Sequence, residues 1–292
     1  MLQSAPPPVG AAAQLRVLDP LEYHRAHHRQ GVRPDGRALL RGRKPRLREC
    51  PLNISADGSA LLRLGNTAVI AGVQCEPTAP APGDADAAGR SGRIVVNVEF
   101  SAVCSAATAN AMSAGHAGAG RLERAKAVLV EQLQRAASGG LVDLETLCAV
   151  EGTAVWSCYC DLYVLEHDGN LEDAAVLALQ AALVTVRLPK LELDEASGAL
   201  TVVEEGVHAV SLAAPLYPCT FGLLSGEVLL DPTSEEEALL SGAFTLMLDG
   251  AGEMRALHKP GGAPLPDGCL PRCVAAARER LPALVALIGA GR

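Results

Sequence analysis

The sequence predicts an α+β fold in a single compact domain. Strand-like segments and helix-like segments alternate along the chain, and the strands are joined by short hairpin-type turns. Apolar residues make up 49% of the 292 residues and charged residues 20%, so the chain can bury a sizeable core and is not wholly disordered. Antiparallel pairing should predominate, because turns connect most of the strands directly.

The N-terminal part predicts a tail, a short helix and a turn. Residues 1–17 are rich in Ala and Pro, which favours a disordered tail, so the folded domain would span 18–292. Asp19 and Pro20 suit the cap and first position of a helix that ends near His28. In the turn that follows, Arg33 and Arg37 flank Asp35, which predicts salt bridges that pin it.

The remaining elements follow from hydrophobic periodicity and turn residues. In the first half, strands are predicted at 47–55, 60–64, 67–75 and 94–100, then a small-residue loop at 106–120 and a helix at 121–137. In the second half, strands are predicted at 147–150, 154–165, 200–203, 207–212, 219–224, 227–230, 242–248 and 254–258, and helices at 171–186, near 233–237 and at 271–288. The helix at 171–186 is apolar on all sides after its first turn, which predicts that it is buried.

The charges are distributed unevenly. The whole chain carries a formal net charge of −8, but residues 21–50 hold nine Lys or Arg against three Asp or Glu. The remainder therefore holds 16 cations against 30 anions. Net acidity, with only 3% aromatic residues, weighs against a protein that coats nucleic acid over its whole surface or stacks bases on aromatic rings. The basic run is compatible with RNA contact, but such runs more often indicate a solvated surface or an interface with an acidic neighbour.

Cysteine and histidine residues give no strong metal motif. Nine cysteines, an odd number, with no recognisable secretory signal predict reduced thiols in an intracellular protein, and no apolar run is long enough to cross a membrane. Cys158 and Cys160 share one face of a strand and are expected to be buried thiols. His24 and His28 share one helix face, but no acid or thiol follows at ligand spacing. We therefore expect no metal and no cofactor.

Several motifs occur in an order typical of one family. They are Arg33-Pro34-Asp35-Gly36-Arg37, Ala56-Asp57-Gly58-Ser59-Ala60, Leu64-Gly65-Asn66-Thr67, Asp161-Leu162-Tyr163, Asp168-Gly169-Asn170 and Asp231-Pro232-Thr233. Together they resemble the RNase PH family and, within it, the ring subunits of the RNA exosome. The resemblance implies an RNase PH-like fold of the ribosomal-protein-S5-domain-2 type (β-α-β-α) and assembly into a hexameric ring. The implied partners are other RNase PH-like subunits, cap subunits of the S1/KH type, and single-stranded RNA in the channel, with no membrane.

The resemblance also specifies what an active member needs. Such enzymes hold inorganic phosphate with a Gly-Ser-Arg-type loop at a helix N-terminus, because cations must offset the repulsion between phosphate and the RNA backbone. A downstream Asp protonates the leaving group. Here the loop positions are Asp168, Gly169 and Asn170; no Lys or Arg occurs between residues 136 and 186, and no Asp or Glu between 206 and 226. We therefore expect no catalytic residues, and a subunit that is not itself an enzyme.

RNA contact and cellular location are further expectations. Arg93, Arg121 and Arg124 lie near the loops that, by family resemblance, face the channel, and are the candidate RNA contacts. One alternative is that Arg93 and Arg121 complete a phosphate-dependent 3′–5′ exoribonuclease site in a neighbouring subunit. Another is an acidic scaffold unrelated to RNA. The main hypothesis is a structural ring subunit that supports RNA processing and degradation, including rRNA maturation, in nucleus, nucleolus and cytoplasm.

Overall fold

The computed structural model describes residues 9–49, 56–80, 90–101, 104, 116–193 and 200–289. Its α-helices are α1 (Val9–Leu18), α2 (Pro20–His28), α3 (His116–Ala136), α4 (Leu171–Thr185), α5 (Ser234–Glu237) and α6 (Cys269–Gly289). Its strands are β1 (Pro45–Glu49), β2 (Gly58–Leu64), β3 (Thr67–Thr78), β4 (Arg93–Phe100), β5 (Cys148–Val150), β6 (Ala154–Glu166), β7 (Arg187–Leu193), β8 (Leu200–Ala209), β9 (Tyr217–Leu224), β10 (Glu227–Leu230), β11 (Gly242–Leu248) and β12 (Met254–His258).

The described strands form three sheets. The largest has the order β1-β2-β3-β6-β4, with β5 also paired to β6, and only the β4–β6 pair in it is parallel. The second sheet has the order β10-β9-β11-β12, and β7 pairs with β8 as a separate ribbon. The predicted predominance of antiparallel pairing is therefore confirmed.

Helix α4 lies between the two larger sheets. It contacts β2 and β3 on one side and β9 on the other, and every residue from Asp173 to Val184 is buried. Because both sides of the helix face protein, its apolar residues occupy all faces rather than one stripe. The buried apolar side chains of both sheets join those of α4 in one continuous core. The N-terminus of α4 is thereby held at the junction of the two sheets.

Two helices begin where their sequence signals place them. The Asp19 side chain accepts a hydrogen bond from the Glu22 amide at 3.0 Å and caps α2, which ends at His28 as predicted. Thr233 and Glu236 form a reciprocal capping box at α5. Within the described residues, no helix is both long and apolar enough to span a bilayer.

The structure differs from several local predictions. In the predicted disordered tail, residues 1–8 are outside the described residues, whereas residues 9–17 belong to α1. Helix α3 begins at His116, inside the predicted loop, and residues 105–115 are not described. The strands predicted at 200–203 and 207–212 belong to one strand, β8 (Leu200–Ala209), because both of its ends pair with β7. The register shifts between the Pro189–Val207 and Leu191–Val202 pairs, so a bulge lies where the break was predicted. Residues 50–55 of the first predicted strand lie outside the described residues.

Candidate functional site

The positions that the resemblance assigns to a degenerate phosphate cradle, Asp168, Gly169 and Asn170, lie in the turn between β6 and α4. Gly169 in this turn has a φ of 78° and lies against the segment that precedes α5. A Cβ atom at Gly169 would lie 2.5 Å from the carbonyl carbon of Thr233 and 2.6 Å from the carbonyl oxygen of Pro232. Glycine is therefore required here because two backbone segments of this chain approach each other closely. A bound anion is not needed to explain it.

The amide at the start of α4 already has a partner. The backbone N–H of Asn170 donates to Oε1 of Glu237 at 2.6 Å. Asp168 is held by two further donors, the Ser234 hydroxyl at 2.9 Å and the Asn66 side-chain amide at 3.1 Å. A helix N-terminus attracts anions because its first N–H groups lack intrahelical acceptors. In this chain a carboxyl group of α5 takes the position that an external anion would need.

An arginine does reach this turn, although the absence of Lys and Arg between residues 136 and 186 led us to expect none there. The guanidinium of Arg43 donates to the carbonyl oxygens of Asp168 at 2.8 Å and Gly169 at 3.2 Å. It also forms an ion pair with Asp231, with Nη2 at 2.8 Å from Oδ1. The expectation considered only the local sequence from 136 to 186, whereas Arg43 comes from the basic N-terminal run. Its donors point to groups of this chain, so it fixes the turn.

Asp231 is the centre of a buried ionic network. Its side chain is fully buried and accepts hydrogen bonds from the Arg43 backbone amide at 2.6 Å, the Asn170 side chain at 2.6 Å and Arg37 Nη1 at 3.1 Å. Burial alone would raise the pKa of Asp231, but the hydrogen bond and charge of Arg43, together with Arg280, outweigh it and place the pKa at about 2. Asp231 is therefore ionised at neutral pH and cannot donate a proton.

The turn that contains Arg33 and Arg37 is only partly as predicted. Nε of Arg37 lies 2.6 Å from Oδ2 of Asp35, which confirms that salt bridge. Arg33 does not pair with Asp35: it is buried and forms an ion pair with Glu236. It also donates to the carbonyl oxygens of Leu230 at 2.7 Å and Asp231 at 3.0 Å. Arg33 turns inward because this carboxylate and these carbonyl groups can satisfy its donors away from water.

The position expected for the catalytic acid holds no carboxyl group. It falls at residues 215–218, where the chain enters β9, and all of β9 is buried. The side chain of Gln180 in α4 fixes this backbone: its Nε2 donates to the Leu216 carbonyl at 2.6 Å, and its Oε1 accepts from the Leu216 amide at 2.9 Å. Pro215, Leu216 and Pro218 carry no acidic side chain, and the phenol of Tyr217 belongs to a side chain that is only 4% exposed.

A carboxyl–imidazole pair beside the α4 N-terminus was missed by sequence reasoning. Oε1 of Glu172 lies 3.6 Å from Nδ1 of His258, and Oε2 accepts from the Thr245 hydroxyl at 2.9 Å. Burial raises the pKa of Glu172 to about 7, and burial followed by the nearby charge of Arg135 lowers the pKa of His258. The two residues are 86 positions apart in the sequence, so no local pattern connects them.

We expect Glu172→Gln to make the protein more stable at pH 8 than wild type, by up to about 3 kcal/mol in the free energy of unfolding. The pKa of Glu172 is about 7 when folded and near 4.5 when unfolded, so the unfolded chain loses this proton first as pH rises. The stability tied to the proton is present below pH 4.5 and is lost as pH rises through 7. Urea unfolding at pH 5 and pH 8 measures the difference.

The control for this prediction is Glu99→Gln. The hydrogen bond from Lys126 lowers the pKa of Glu99, so this carboxylate is ionised at both pH values and its replacement should not alter the pH dependence. Burial also raises the pKa of Glu237 to about 7, so this group contributes to the pH dependence of stability in every variant. Comparison of each variant with wild type removes that shared contribution. Equal changes between pH 5 and pH 8 in wild type and Glu172→Gln would contradict the prediction.

The candidate RNA contacts are distributed over two elements. Arg93 is exposed at the start of β4, and Arg124 is exposed on α3. Arg121 also belongs to α3, but its side chain lies outside the described residues. RNA contact by these three arginines stays a prediction. Of the nine cations in the basic run, Arg33, Arg37 and Arg43 are directed into the protein, so the run is less of a solvated surface than its sequence suggested.

Comparison with known proteins identifies the family. Residues 46–189 match the model for domain 1 of the RNase PH-type 3′ exoribonuclease family, and residues 214–280 match the model for domain 2. Exosome complex component Rrp42 of Methanothermobacter thermautotrophicus is 31% identical over 87% of this chain and 88% of its own length. Exosome complex component rrp43 of Schizosaccharomyces pombe is 29% identical over 91% of this chain and 93% of its own length.

Solved structures show the same fold. A chain of an archaeal exosome core superposes with a TM-score of 0.72 and 23% identity, covering 97% of this chain and 99% of that one. A chain of an Archaeoglobus fulgidus exosome with RNA bound to the active site gives a TM-score of 0.72 and 24% identity, covering 94% and 98%. The predicted RNase PH-like fold is confirmed, although two family models cover the region predicted as one domain. The chain belongs to the RNase PH-type 3′ exoribonuclease family.

Proposed function

We propose that this chain is a structural, non-catalytic subunit of an exosome ring, of the Rrp43 type. It would assemble with other RNase PH-like subunits and support 3′–5′ RNA processing and degradation without performing phosphorolysis itself. The names of the relatives support a place in an exosome complex. The match to rrp43 of Schizosaccharomyces pombe, which extends over 91% of this chain, supports the choice of subunit type.

One observation carries the non-catalytic part of the proposal: this chain's own side chains satisfy the groups that would bind phosphate. The Asn170 amide donates to Glu237, and the Arg43 guanidinium is held by Asp231 and two backbone carbonyls. Phosphorolysis requires cations or free N–H groups that offset the repulsion between phosphate and the RNA backbone. Binding phosphate here would require breaking buried interactions that also hold the two sheets together.

The same proposal covers the partners and the location. The acidic surface outside residues 21–50 favours pairing with more basic subunits over binding free RNA, because complementary charge directs association. We propose that the chain helps to shape the RNA channel, contacts S1/KH-type cap subunits, and works in nucleus, nucleolus and cytoplasm.

Two measurements on the full chain test the proposal. In the first, purified chain is incubated with labelled single-stranded RNA and inorganic phosphate, beside an active RNase PH-type enzyme as positive control. We expect no release of nucleoside diphosphates above the no-protein blank, because neither a phosphate cradle nor a proton donor is available. In the second, native mass spectrometry of the endogenous complex should find the chain in a ring with other RNase PH-like subunits.

Each half of the proposal can be contradicted separately. Phosphate-dependent release of nucleoside diphosphates that co-elutes with the purified chain would overturn the non-catalytic assignment and leave ring membership intact. An endogenous chain recovered without any RNase PH-like partner would overturn the ring role, whatever its activity.

A further inference from the structure

A cluster of two histidines and one glutamate lies between helix α2 and the short helix α5. His24 and His28 are one helical turn apart on the buried face of α2, with ring centroids 6.2 Å apart. Glu236 is brought to them from more than 200 positions away in the sequence. One nitrogen or oxygen atom from each of the three side chains lies within 4.8 Å of the other two. The sequence offered no third ligand near the histidines, and the fold supplies one.

The imidazole nitrogens in this cluster lack partners. Nδ1 of His24 and both ring nitrogens of His28 are buried without a hydrogen bond to any described group. The two residues are only 3% and 8% exposed. Leaving a buried polar atom unpaired is costly, and nearly all buried polar atoms in native proteins have a partner. Three such nitrogens in one place therefore require an explanation that apolar packing does not provide.

The protonation states suit coordination of a metal ion. Burial lowers the pKa values of both histidines, so their imidazoles are neutral at pH 7 and can act as ligands. Burial alone would raise the pKa of Glu236, but the hydrogen bond and charge of Arg33 outweigh this and keep it ionised. Two neutral imidazoles and one carboxylate form a ligand set that zinc sites use, with a water molecule as the fourth ligand.

Arg33 does not block this use of Glu236. Oε1 of Glu236 accepts one hydrogen bond, from Nε of Arg33 at 2.8 Å, whereas Oε2 also accepts from the Thr233 amide at 2.8 Å. A carboxylate oxygen has two lone pairs, so Oε1 retains one for a metal ion while the Arg33 contact orients the group. Tetrahedral ligands about 2 Å from zinc lie roughly 3.3 Å apart, so closing the cluster requires side-chain movements of about 1.5 Å.

An adjacent cleft gives the cluster a path to solvent. It has a volume of about 320 Å³, and its lining includes His24 and Glu236. The carboxyl groups of Asp35, Asp168 and Glu235 also line it, with Arg16 as a cationic side chain among the described lining residues. All three carboxyl groups form ion pairs, Asp35 with Arg37, Asp168 with Arg43 and Glu235 with Arg16, so the cleft contributes room for a water ligand rather than free negative charge.

We propose that His24, His28 and Glu236 form a binding site for a divalent transition-metal ion of the zinc class. The ion would connect α2 to α5 and so fix α2 to the segment that contains Asp231. The site is independent of the proposed ring function, because it uses neither the α4 N-terminus nor an RNA-facing group.

The test compares metal binding by the reduced, metal-stripped full chain and three variants. Zn²⁺ is titrated by calorimetry and Co²⁺ by visible absorption, which separates nitrogen and oxygen ligands from thiolates. We expect one ion per wild-type chain, and a loss of affinity of at least about 100-fold in His24→Gln and His28→Leu, because even groups behind the ligands change affinity by 10–100-fold. His27→Gln is the matched control, since Nδ1 of His27 contacts the Tyr23 carbonyl on the same helix.

His28→Leu also keeps the test decisive if removal of a ligand affects folding. Without metal this variant should melt no lower than wild type, because leucine removes two unpaired buried nitrogens while filling similar space. Added Zn²⁺ should raise the melting temperature of wild type and His27→Gln but not that of His28→Leu. Equal zinc affinity in wild type and His28→Leu, a thiolate charge-transfer band with Co²⁺, or no bound ion in wild type would each overturn the proposal.

Discussion

Replacing Asp231 by asparagine is expected to lower the free energy of unfolding by about 3–5 kcal/mol, enough to unfold many domains of this size at 37 °C. The carboxylate is fully buried and is the shared acceptor for Arg37, Arg43 and Asn170. An amide of the same shape cannot compensate two guanidinium groups, one of which is only 9% exposed. Urea unfolding monitored by circular dichroism measures the loss.

The matched control is Asp161→Asn. Asp161 is partly exposed on β6, and its carboxylate accepts a long hydrogen bond, 3.3 Å, from the Asn97 side chain. A surface carboxylate of this kind should cost less than about 0.5 kcal/mol. A cost below about 1 kcal/mol for Asp231→Asn would contradict the view that the ionic network holds the segment before α5 in place.

A double variant assigns the cost to the Asp231–Arg43 pair. Arg43→Met removes one of the two arginines that are paired with the buried Asp231 carboxylate. Only the Arg37 ion pair remains, so this variant should also be strongly destabilising. If the two groups mainly compensate each other's burial, the double variant Arg43→Met/Asp231→Asn should cost clearly less than the sum of the single variants. Additive losses would show that Arg43 contributes chiefly through its hydrogen bonds to the carbonyls of Asp168 and Gly169.

Local signals in the sequence predicted most of the elements. Asp19 caps α2, and the boundaries of the hairpin formed by β11 and β12 are as predicted, because each depends on residues a few positions apart. The two strands predicted at 200–203 and 207–212 illustrate the limit. Both flanks, 200–202 and 207–209, pair with β7, so β8 is one strand with a register shift between them and a φ of 124° at Gly206.

The candidate site could be predicted only in part, because its contacts join distant segments. The resemblance correctly placed Asp168, Gly169 and Asn170 at a helix N-terminus. It could not show which side chains satisfy the polar groups of this turn. Arg43 lies 125 positions before Asp168, and Glu237 lies 67 positions after Asn170. The same is true of Arg33 with Glu236, whose separation of 203 positions has no counterpart in any local pattern. The sequence showed only that Lys and Arg are absent between residues 136 and 186; the structure adds that Glu237 already accepts the hydrogen bond of the Asn170 amide.

The remaining large effect is expected for Gly169→Ala, which should cost about 3 kcal/mol or more of the free energy of unfolding. Two terms contribute. Alanine at a φ of 78° is strained by about 1–2 kcal/mol, and its Cβ would lie within 2.6 Å of three backbone atoms in residues 232–234, which cannot move like the end of a flexible side chain. Denaturant unfolding measures the total.

Gly226→Ala separates these two terms and, with them, two explanations for the glycine in the turn. Gly226 has a φ of 87° and no atom within 4 Å of the added Cβ, so its replacement by alanine should show the conformational strain alone. If Gly169 serves only to let an external phosphate approach the backbone, the two substitutions should destabilise the metal-free, phosphate-free protein equally. If it serves the packing of the turn against the segment before α5, Gly169→Ala should cost about 2 kcal/mol more than Gly226→Ala. Equal costs would therefore contradict the close packing of this turn against residues 232–234, because they would mean that the turn still has room for a ligand.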